Sequence, residues 1–365
     1  MSEWQTFCLK DLGKIVGGTT PSTNNPKNYG NKIAWITPKD LSTLQGRYIK
    51  KGNRSISRLG FKSCSCVLLP KHAILFSSRA PIGYVAIAKK RLCTNQGFKS
   101  IIPNKKIYFE FLYYLLKYHK DNISNIGGGT TFKEVSGATL GLFKVKIPPT
   151  YYEQQKIART LSILDQKIEN NHKINELLHT LAYKIYEHYF KYKPKNAKLE
   201  QIIIENPKSS IMVKNAQKTQ DKYPFFTSGD NILSYPKAII DGRNCFLNTG
   251  GNAGIKFYVG EASYSTDTWC ICANEFSDYL YLLLSNIKTH INQSFFQGTS
   301  LKHLQKNLLK KYPIYMPSAH EIKKFNQIIM PLLTLISINT RTSKKLEQIR
   351  DFLLPLLLKQ QVKPQ

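Results

Sequence analysis

Few residues of this sequence have both the type and the spacing that catalysis needs. The tripeptide Glu321-Ile322-Lys323 pairs a carboxylate with a lysine, as nuclease sites do. No partner carboxylate precedes it on a predicted strand, and an acidic residue is expected at the start of a helix because of the helix dipole. The sequence also has no P-loop, no HExxH zinc motif, no GxSxG nucleophile motif and no dinucleotide-binding fingerprint. We therefore expect no catalytic residue in this chain.

The seven cysteines are the other candidates for chemistry, as metal ligands or disulfides. None forms a Cys-x-x-Cys pair, the spacing typical of zinc sites, and Cys64/Cys66 and Cys270/Cys272 are spaced by two residues, like alternate residues along a strand. We therefore expect reduced, structural thiols and no metal site.

The charge of the chain indicates an anionic partner. Lys and Arg total 53 against 23 Asp and Glu, for a formal net charge of +30. Such an excess repels itself unless an anion neutralises it, which favours nucleic acid, although a Lys-rich genome bias would also contribute. No apolar run approaches the roughly 20 residues of a membrane span, and the first residues lack the apolar core of a signal peptide. We expect a cytoplasmic protein that binds no membrane.

Candidate DNA contacts follow from side-chain chemistry on predicted loops. Arg, Lys, Asn and Gln can read base edges, whereas Ser, Thr and backbone amides usually hold phosphates. Alternatively, Gln96 and Thr131 only satisfy loop backbone groups. The candidates in the first half are Lys39, Arg79, Gln96, Lys99, Thr131 and Lys133. Those in the second half are Arg243, Asn248, Lys256, Ser300 and Lys302.

Two predicted helices that could position these loops have the same heptad pattern. Apolar residues alternate at spacings of three and four, as in a coiled-coil seam, and two consecutive seam positions in each run are polar. Polar seam residues cost stability but fix register, so we expect the helices to pair with each other; alternatively, each lies on its own domain. The predicted pairing residues are Ile157, Leu161, Leu164, Ile168, Asn171, Asn175 and Leu178 in the first run and Phe325, Ile329, Leu332, Ile336, Asn339 and Leu346 in the second, where Ser343 is the other polar position.

The segments before the two helices repeat as well. Gly129-Thr130-Thr131-Phe132-Lys133 corresponds to Gly298-Thr299-Ser300-Leu301-Lys302, and Ile147-Pro148 to Met316-Pro317. Because proline disfavours helix at the preceding residue, each long helix is predicted to begin just after it. The chain is therefore predicted to run domain, helix, domain, helix.

Within each half the pattern predicts an α+β domain with many loops. Short apolar runs at 66–69, 73–76 and 84–88 predict strands. One helix is predicted in each half, over 108–118 and over 277–287.

Several tracts of the first half occur in a fixed order and spacing. They are Gly18-Thr19-Thr20-Pro21, Ile33-Ala34-Trp35-Ile36-Thr37, Leu68-Leu69-Pro70, Ser77-Ser78-Arg79-Ala80-Pro81-Ile82-Gly83, Asn95-Gln96-Gly97-Phe98, Gly129-Thr130-Thr131-Phe132-Lys133, and Ile147-Pro148-Pro149 followed by Glu153-Gln154-Gln155-Lys156-Ile157. Together they resemble the specificity (S) subunits of type I restriction-modification systems over nearly the whole chain.

The second half departs from this pattern at three places. Thr249-Gly250-Gly251-Asn252-Ala253-Gly254 stands where the Ser-Arg-Ala tract would recur, as expected if the two domains read different bases. The second long helix opens with His320-Glu321-Ile322-Lys323, without the Glu-Gln-Gln run, and contains Pro331, which leaves its straightness open.

The resemblance implies two target-recognition domains of mixed α/β structure, separated by two long helices that form an antiparallel coiled coil. The expected boundaries are 1–149 and 194–317 for the domains, 150–193 for the central conserved-region helix and 318–365 for the C-terminal one. Each domain would read one half of a bipartite, asymmetric double-stranded DNA site.

The same resemblance implies that catalysis belongs to partner subunits. Two methylation subunits would bind S-adenosylmethionine, and restriction subunits, which combine motor and nuclease, would bind ATP and Mg²⁺; this chain would hold no cofactor. The alternatives are the recognition region of a methyltransferase-nuclease system acting separately, or a stand-alone DNA-binding scaffold.

Overall fold

The computed structural model describes residues 3–79, 81–129, 133–216 and 222–364. The chain divides into unit 1, residues 1–169 and 349–365, and unit 2, residues 170–348. Both divisions fall inside the two long helices, so each unit contains part of each helix.

Unit 1 is built on one large sheet, one small sheet and a two-stranded ladder. Its strands are β1 Gln5–Cys8, β2 Gly13–Gly17, β3 Tyr29–Ile36, β4 Tyr48–Ile49, β5 Arg54–Ile56, β6 Ile74–Phe76, β7 Val85–Ala88, β8 Cys93–Thr94, β9 Lys99–Pro103 and β10 Lys144–Ile147. Its helices are α1 Leu9–Leu12, α2 Pro38–Ser42, α3 Arg58–Lys62, α4 Phe109–Asn125 and α5 Gly137–Leu142, followed by the first part of the long α6 Tyr151–Phe190. The strand orders are β2-β9-β6-β7-β4, β5-β3-β8 and β1-β10.

Unit 2 repeats much of this arrangement. Its strands are β11 Ala197–Lys198, β12 Ile204–Glu205, β13 Tyr223–Phe226, β14 Leu233–Tyr235, β15 Arg243–Asn248, β16 Ile255–Val259, β17 Ser263–Tyr264, β18 Thr268–Cys272, β19 Phe296–Gln297, β20 His303–Leu304 and β21 Pro313–Ile314. Its helices are α7 Ser277–Asn286, α8 Lys288–Ser294, α9 Lys306–Lys310 and most of the long α10 Ala319–Leu358. The strand orders are β12-β18-β15-β16, β14-β13-β17, β11-β21 and β19-β20.

The two units share topology as well as sequence. The antiparallel trio β9-β6-β7 of unit 1 matches β18-β15-β16 of unit 2. In the small sheets, β3 pairs in parallel with β8 as β13 does with β17. Each long helix also follows the closing strand of a two-stranded ladder, β10 or β21. The predicted α+β architecture with two long helices is confirmed.

Each unit packs its sheet helix and its part of the long helices into one core. In unit 1 the core includes Phe111 of α4, Ile157 of α6 and Leu357 of α10, all nearly fully buried. In unit 2 the Phe190 ring lies 4.9 Å from the Phe325 ring and 5.1 Å from the Tyr279 ring, in edge-to-face geometry. Burial of each such side chain contributes about 1.5–3 kcal/mol, so the seam of the long helices belongs to the domain cores.

The long helices begin with equivalent caps. The Thr150 hydroxyl accepts the Glu153 backbone N–H at 3.2 Å, and the Ser318 hydroxyl accepts that of Glu321 at 3.3 Å. These are the two ends of the capping pattern Ser/Thr-x-x-Glu. The second helix continues through Pro331 and remains helical to Leu358.

One local prediction was wrong, and one predicted helix was too short. Of the strand predicted over 66–69, only Leu69 bridges to another segment, at Leu92. Cys64 and Cys66 lie in a turn and a loop, and Cys66 is buried with Trp35 and Cys93. The apolar run therefore fills a small core without joining a sheet. The helix predicted over 108–118 extends to Asn125 as α4.

Candidate nucleic-acid interface

Three segments of unit 1 are bound to one another by backbone hydrogen bonds at the end of β6. The Ser78 N–H donates to the Gly97 carbonyl at 2.8 Å, and the Val135 N–H donates to the Ser78 carbonyl at 3.0 Å. Ser77 also bridges Phe98. We call residues 77–79, 95–99 and 133–135, with Thr20, loop cluster 1.

Loop cluster 1 brings two predicted cations together around one carboxylate. Lys99 Nζ lies 3.1 Å from Glu134 Oε1, and Arg79 Nη1 lies 3.7 Å from Glu134 Oε2. The Arg79 side chain is 37% exposed and that of Glu134 36% exposed, so both are open to a ligand. Because exposed ion pairs are worth only about 0–1 kcal/mol, a DNA group can replace Glu134 at little cost.

The other predicted residues of the first half lie at or beside this cluster. Gln96 is exposed and accepts a hydrogen bond from the Thr20 hydroxyl. Lys39 is exposed in the first turn of α2, where a side chain at Gly97 would collide with the ring of Pro38. Lys133 is exposed next to Glu134, whereas Thr131 lies outside the described residues.

Unit 2 holds an equivalent loop with equivalent backbone bonds. The Thr249 N–H donates to the Asp267 carbonyl at 3.2 Å, and the Leu304 N–H donates to the Thr249 carbonyl at 3.0 Å. The Gly251 N–H adds a bond to the Lys302 carbonyl at 2.9 Å, with φ +79° at Gly251, a conformation that favours glycine. We call residues 227–229, 248–254, 265–268 and 300–304 loop cluster 2.

Two predicted residues, Asn248 within loop cluster 2 and Lys256 beside it on β16, hold the loop backbone from inside. Lys256 Nζ donates to the Thr227 carbonyl at 2.7 Å and to Asn248 Oδ1 at 3.3 Å, and burial lowers the pKa of Lys256. Asn248 is buried, and its Nδ2 donates to the Asn252 carbonyl at 3.1 Å. Ser300 and Lys302, in contrast, are exposed on the segment bound to Gly251.

Arg243 is not part of loop cluster 2. It lies at the opposite end of β15, where its guanidinium donates to both carboxylate oxygens of Asp278. Its Nη1 also donates to the Thr334 hydroxyl of α10 at 2.9 Å. Asp278 is buried, and that burial raises its pKa even beside the arginine. The guanidinium of Arg243 therefore joins α7 and α10 within unit 2.

The predicted pairing residues lie on facing sides of the long helices. Ile157, Leu161 and Ile168 of α6 and Phe325, Ile329 and Ile336 of α10 are buried, and Leu164, Leu178, Leu332 and Leu346 are half-buried. In unit 2, Asn171 Nδ2 donates to the Ser343 hydroxyl at 3.1 Å, and Asn339 Nδ2 donates to Asn175 Oδ1 at 2.9 Å. Rising numbers in α6 meet falling numbers in α10, so the helices are antiparallel.

Sequence reasoning missed the ionic partners both in loop cluster 1 and in the helix seam of unit 1. Glu134 follows Lys133 directly, but nothing local shows that it meets Arg79. In the unit 1 seam, Arg350 Nη1 donates to Asp165 Oδ1 at 2.7 Å, with both side chains nearly buried. The signal that could have found this pair is an arginine at a seam position of the heptad pattern.

The described parts of the chain contain no group of three or more His, Cys, Asp or Glu side chains that could hold a metal ion. All seven cysteines are free. Within the same described ranges, no helix is long and apolar enough to cross a membrane.

Comparisons with known proteins agree on one family. The family described as "Type I restriction modification DNA specificity domain" matches residues 1–180 and 195–348. The MjaIX specificity subunit of Methanocaldococcus jannaschii, a type I restriction enzyme subunit, is 33% identical over 98% of this chain and 93% of its own. The putative MjaX specificity subunit of the same organism is 31% identical over 47% of this chain and 38% of its own.

A solved structure supports the fold. The S subunit of a type I restriction-modification system from M. genitalium superposes with a TM-score of 0.64 at 17% identity, over 97% of this chain and 96% of that one. At this identity the likeness bears on the fold alone.

Proposed function

Because this chain belongs to the type I restriction-modification DNA specificity family, we propose that its two loop clusters read the two halves of a bipartite, asymmetric DNA site. The observation that carries the proposal is the scaffold common to both clusters. Ser78 and Thr249 make the same pair of backbone bonds, but the next residue is Arg79 in unit 1 and Gly250 in unit 2. A common backbone with different side chains supports the reading of two different base sequences.

The chain is a specificity subunit, so it binds DNA and assembles with other subunits that perform catalysis. Our finer assignment is two methylation subunits, which would carry S-adenosylmethionine, and restriction subunits, which would carry ATP and Mg²⁺. The chain itself would orient these subunits on the site that it reads. The domain boundaries proposed are 1–149, 150–193, 194–317 and 318–365.

In loop cluster 1 we assign base reading to Arg79 and Gln96. A guanidinium can donate two parallel hydrogen bonds to the O6 and N7 atoms of guanine, and a glutamine amide can pair with adenine. Lys39, Lys99 and Lys133 surround them and suit phosphates, with Lys99 and Arg79 exchanging Glu134 for DNA. Thr131 remains a phosphate candidate from sequence.

In loop cluster 2 the proposed contacts are Ser300 and Lys302, which are exposed. Lys256 and Asn248 act indirectly, because their polar atoms hold the loop backbone that presents those contacts. Arg243 is left out, since its guanidinium is bound by Asp278 and Thr334.

Apolar side chains on the solvent side of α6 support docking of the methylation subunits. In unit 2, Ile174, Leu177 and Leu181 are spaced by three and four residues and are 42%, 70% and 47% exposed. A helix of a partner could cover such a stripe, as in other helix-helix interfaces.

Arg79→Ala tests the proposal. If Arg79 reads a base, affinity for the cognate duplex should fall by about 1–3 kcal/mol, roughly 5-fold to 150-fold, with little change on unrelated DNA. Binding is measured with the purified chain after the cognate site has been found by mapping methylated adenines in cells that contain the partner subunits. Arg58→Ala, an exposed arginine on α3, is the control. Equal losses on all sequences would make Arg79 a phosphate contact, and no loss on any would make it structural.

A further inference from the structure

Unit 1 has a second cationic surface at the end of its large sheet opposite loop cluster 1. In the β6–β7 ladder, the paired residues Phe76 and Val85 lie at the end next to loop cluster 1, and the paired residues Ile74 and Ile87 lie at the opposite end. β4 runs parallel to β7, and β9 runs antiparallel to β6. The chain before β6 and after β4, β7 and β9 therefore meets at this far end.

Lysines occupy all four of these chain segments. All are exposed, and they carry no ion pair or hydrogen bond to an acidic side chain among the residues that the structure describes. The acidic residues close by have other partners: the Asp11 carboxylate accepts the Cys8 N–H, Asp40 accepts the Asn53 N–H at 2.7 Å, and Glu110 accepts Arg47 Nη1 at 2.9 Å. We call this surface the lysine end: Lys50 and Lys51 after β4, Lys71 before β6, Lys89 and Lys90 after β7, and Lys105 after β9.

The matching end of unit 2 has the opposite charge. There the chain before β15 carries Asp241, the chain after β16 carries Glu261 and the chain after β18 carries Glu275, all exposed. Two arginines lie at this end: Arg243, whose guanidinium is bound by Asp278, and Arg341 of α10, which donates to the Val259 carbonyl at 2.7 Å. The two units share one topology but differ in charge at this end of the large sheet. The general excess of Lys and Arg in the chain therefore does not by itself explain the lysine end.

We propose that the lysine end binds the phosphate backbone of duplex DNA outside the sequence read by loop cluster 1. Neighbouring strands lie about 5 Å apart, so four of them spread the lysines over roughly 15 Å, enough to face several phosphates. Lysine is a hydrated point charge suited to phosphate, whereas the base-reading types Arg79 and Gln96 lie at the other end.

The composition of the lysine end favours DNA over a protein partner. Protein interfaces are enriched in aromatic residues and arginine and depleted in lysine. Among the described residues, no large exposed hydrophobic side chain lies at 48–52, 70–73, 88–91 or 103–106. The contact would be independent of base sequence and would therefore add affinity and association rate without changing the site.

The experiment compares two variants of the full chain with equal loss of charge. K51Q/K71Q/K89Q/K90Q removes four cations from the lysine end, and K32Q/K62Q/K144Q/K146Q removes four exposed cations elsewhere in unit 1. Binding to a duplex without the cognate site is measured by fluorescence anisotropy from about 50 to 200 mM NaCl, where phosphate contacts dominate. Melting temperatures of both variants are measured in parallel, and K89Q/K90Q replaces the fourfold variant if that variant is destabilised.

The lysine-end variant should bind about tenfold more weakly at the lowest salt, and the slope of log affinity against log salt should fall by about 2–4, since each lost phosphate contact removes about 0.9. The control variant should retain most of the wild-type affinity and most of the wild-type salt dependence. Equal losses in the two variants would overturn the proposal, as would unchanged DNA binding with weaker capture of the methylation subunits, which would indicate an acidic protein partner.

This outcome is distinguishable from failure of the proposed function. The lysine-end variant should leave the methylated sequence in cells unchanged, whereas Arg79→Ala acts on the cognate site alone. A lysine-end variant that alters the recognised bases would show that these residues take part in sequence reading and would overturn the proposal.

Discussion

In each unit an arginine binds a carboxylate at the start of the helix that packs on the large sheet, but the two arginines come from different parts of the sheet. In unit 1, Glu110, the second residue of α4, accepts Arg47 Nη1 at 2.9 Å. In unit 2, Asp278, the second residue of α7, accepts two hydrogen bonds from Arg243. The carboxylate therefore occupies the same position in both repeats. Its arginine partner lies in the loop before β4 in unit 1 and at the start of β15 in unit 2.

The difference follows from a strand that unit 2 lacks in its large sheet. β4 is the fifth strand in unit 1, and the four-stranded sheet of unit 2 ends at β16. Arg47 enters β4 and also binds Glu169 of α6 at 3.2 Å, whereas Arg243 binds Thr334 of α10 at 2.9 Å. A buried carboxylate at a helix N-terminus needs a compensating cation, and either position supplies one.

Removing each arginine tests whether the anchors are independent, and it should have the largest effect. Arg47→Ala should destabilise unit 1 by about 3–5 kcal/mol because it leaves nearly buried carboxylates without their cation, and Arg243→Ala should do the same in unit 2. Hydrogen exchange followed by mass spectrometry should show faster exchange in α4 for the first variant and in α7 for the second.

Arg58→Ala, exposed on α3, serves as the control and should leave exchange in both helices unchanged. Similar loosening of α4 and α7 by one variant would contradict separate anchors. So would an Arg47→Ala protein with unchanged protection in α4.

The polar contacts in the helix seam offer a second comparison, in which the expected losses of stability are moderate. The seam of unit 1 uses the ion pair Asp165–Arg350, and that of unit 2 uses the amide pair Asn175–Asn339. Asn339→Ala should cost about 1 kcal/mol, because Asn175 Oδ1 loses its partner in a half-buried place. Arg350→Ala should cost more, since Asp165 is nearly buried and charged.

The measurement is urea unfolding of both single variants and of N175L/N339L. The double variant should regain stability, because leucine suits a seam, while its helices pair with less defined register. An Asn339→Ala protein less stable than Arg350→Ala would contradict the ranking of charged over neutral seam pairs.

The sequence allowed prediction of the features that leave a local or periodic pattern. The heptad positions from Ile157 and Phe325, the repeat and the α+β class are of this kind. The loop segments around Arg79 could be proposed because they precede and follow strand-like runs. The contacts between Arg79 and Glu134, Arg47 and Glu169, and Arg243 and Asp278 join residues far apart in the chain, and no spacing rule encodes them. Arg243 therefore looked like a DNA contact although its guanidinium is bound within unit 2.

The caps of the long helices provide the finest comparison. Glu321 accepts the Ser318 N–H at 2.9 Å and the Tyr315 hydroxyl at 2.8 Å, and these hydrogen bonds, led by that of the Ser318 backbone, lower the pKa of Glu321 to about 2. A lowered pKa means that the ionised carboxylate stabilises the fold. This stabilisation is complete above the ordinary value near 4.5 and is lost as the pH falls from about 5 toward 2.

Glu321→Gln should therefore lower the melting temperature slightly at pH 6 and much less near pH 2.5, where most of the stabilisation by the ionised carboxylate has been lost. The effect should stay below about 1 kcal/mol, as for other partly exposed caps. Glu153→Gln removes the equivalent cap residue of α6 and is the matched control, because it leaves the Glu321 titration in place. Melting curves of the three proteins from pH 2.5 to pH 6 measure the difference. If wild type and Glu321→Gln differ by the same amount at every pH, the carboxylate charge contributes nothing and the cap of α10 acts through its geometry alone.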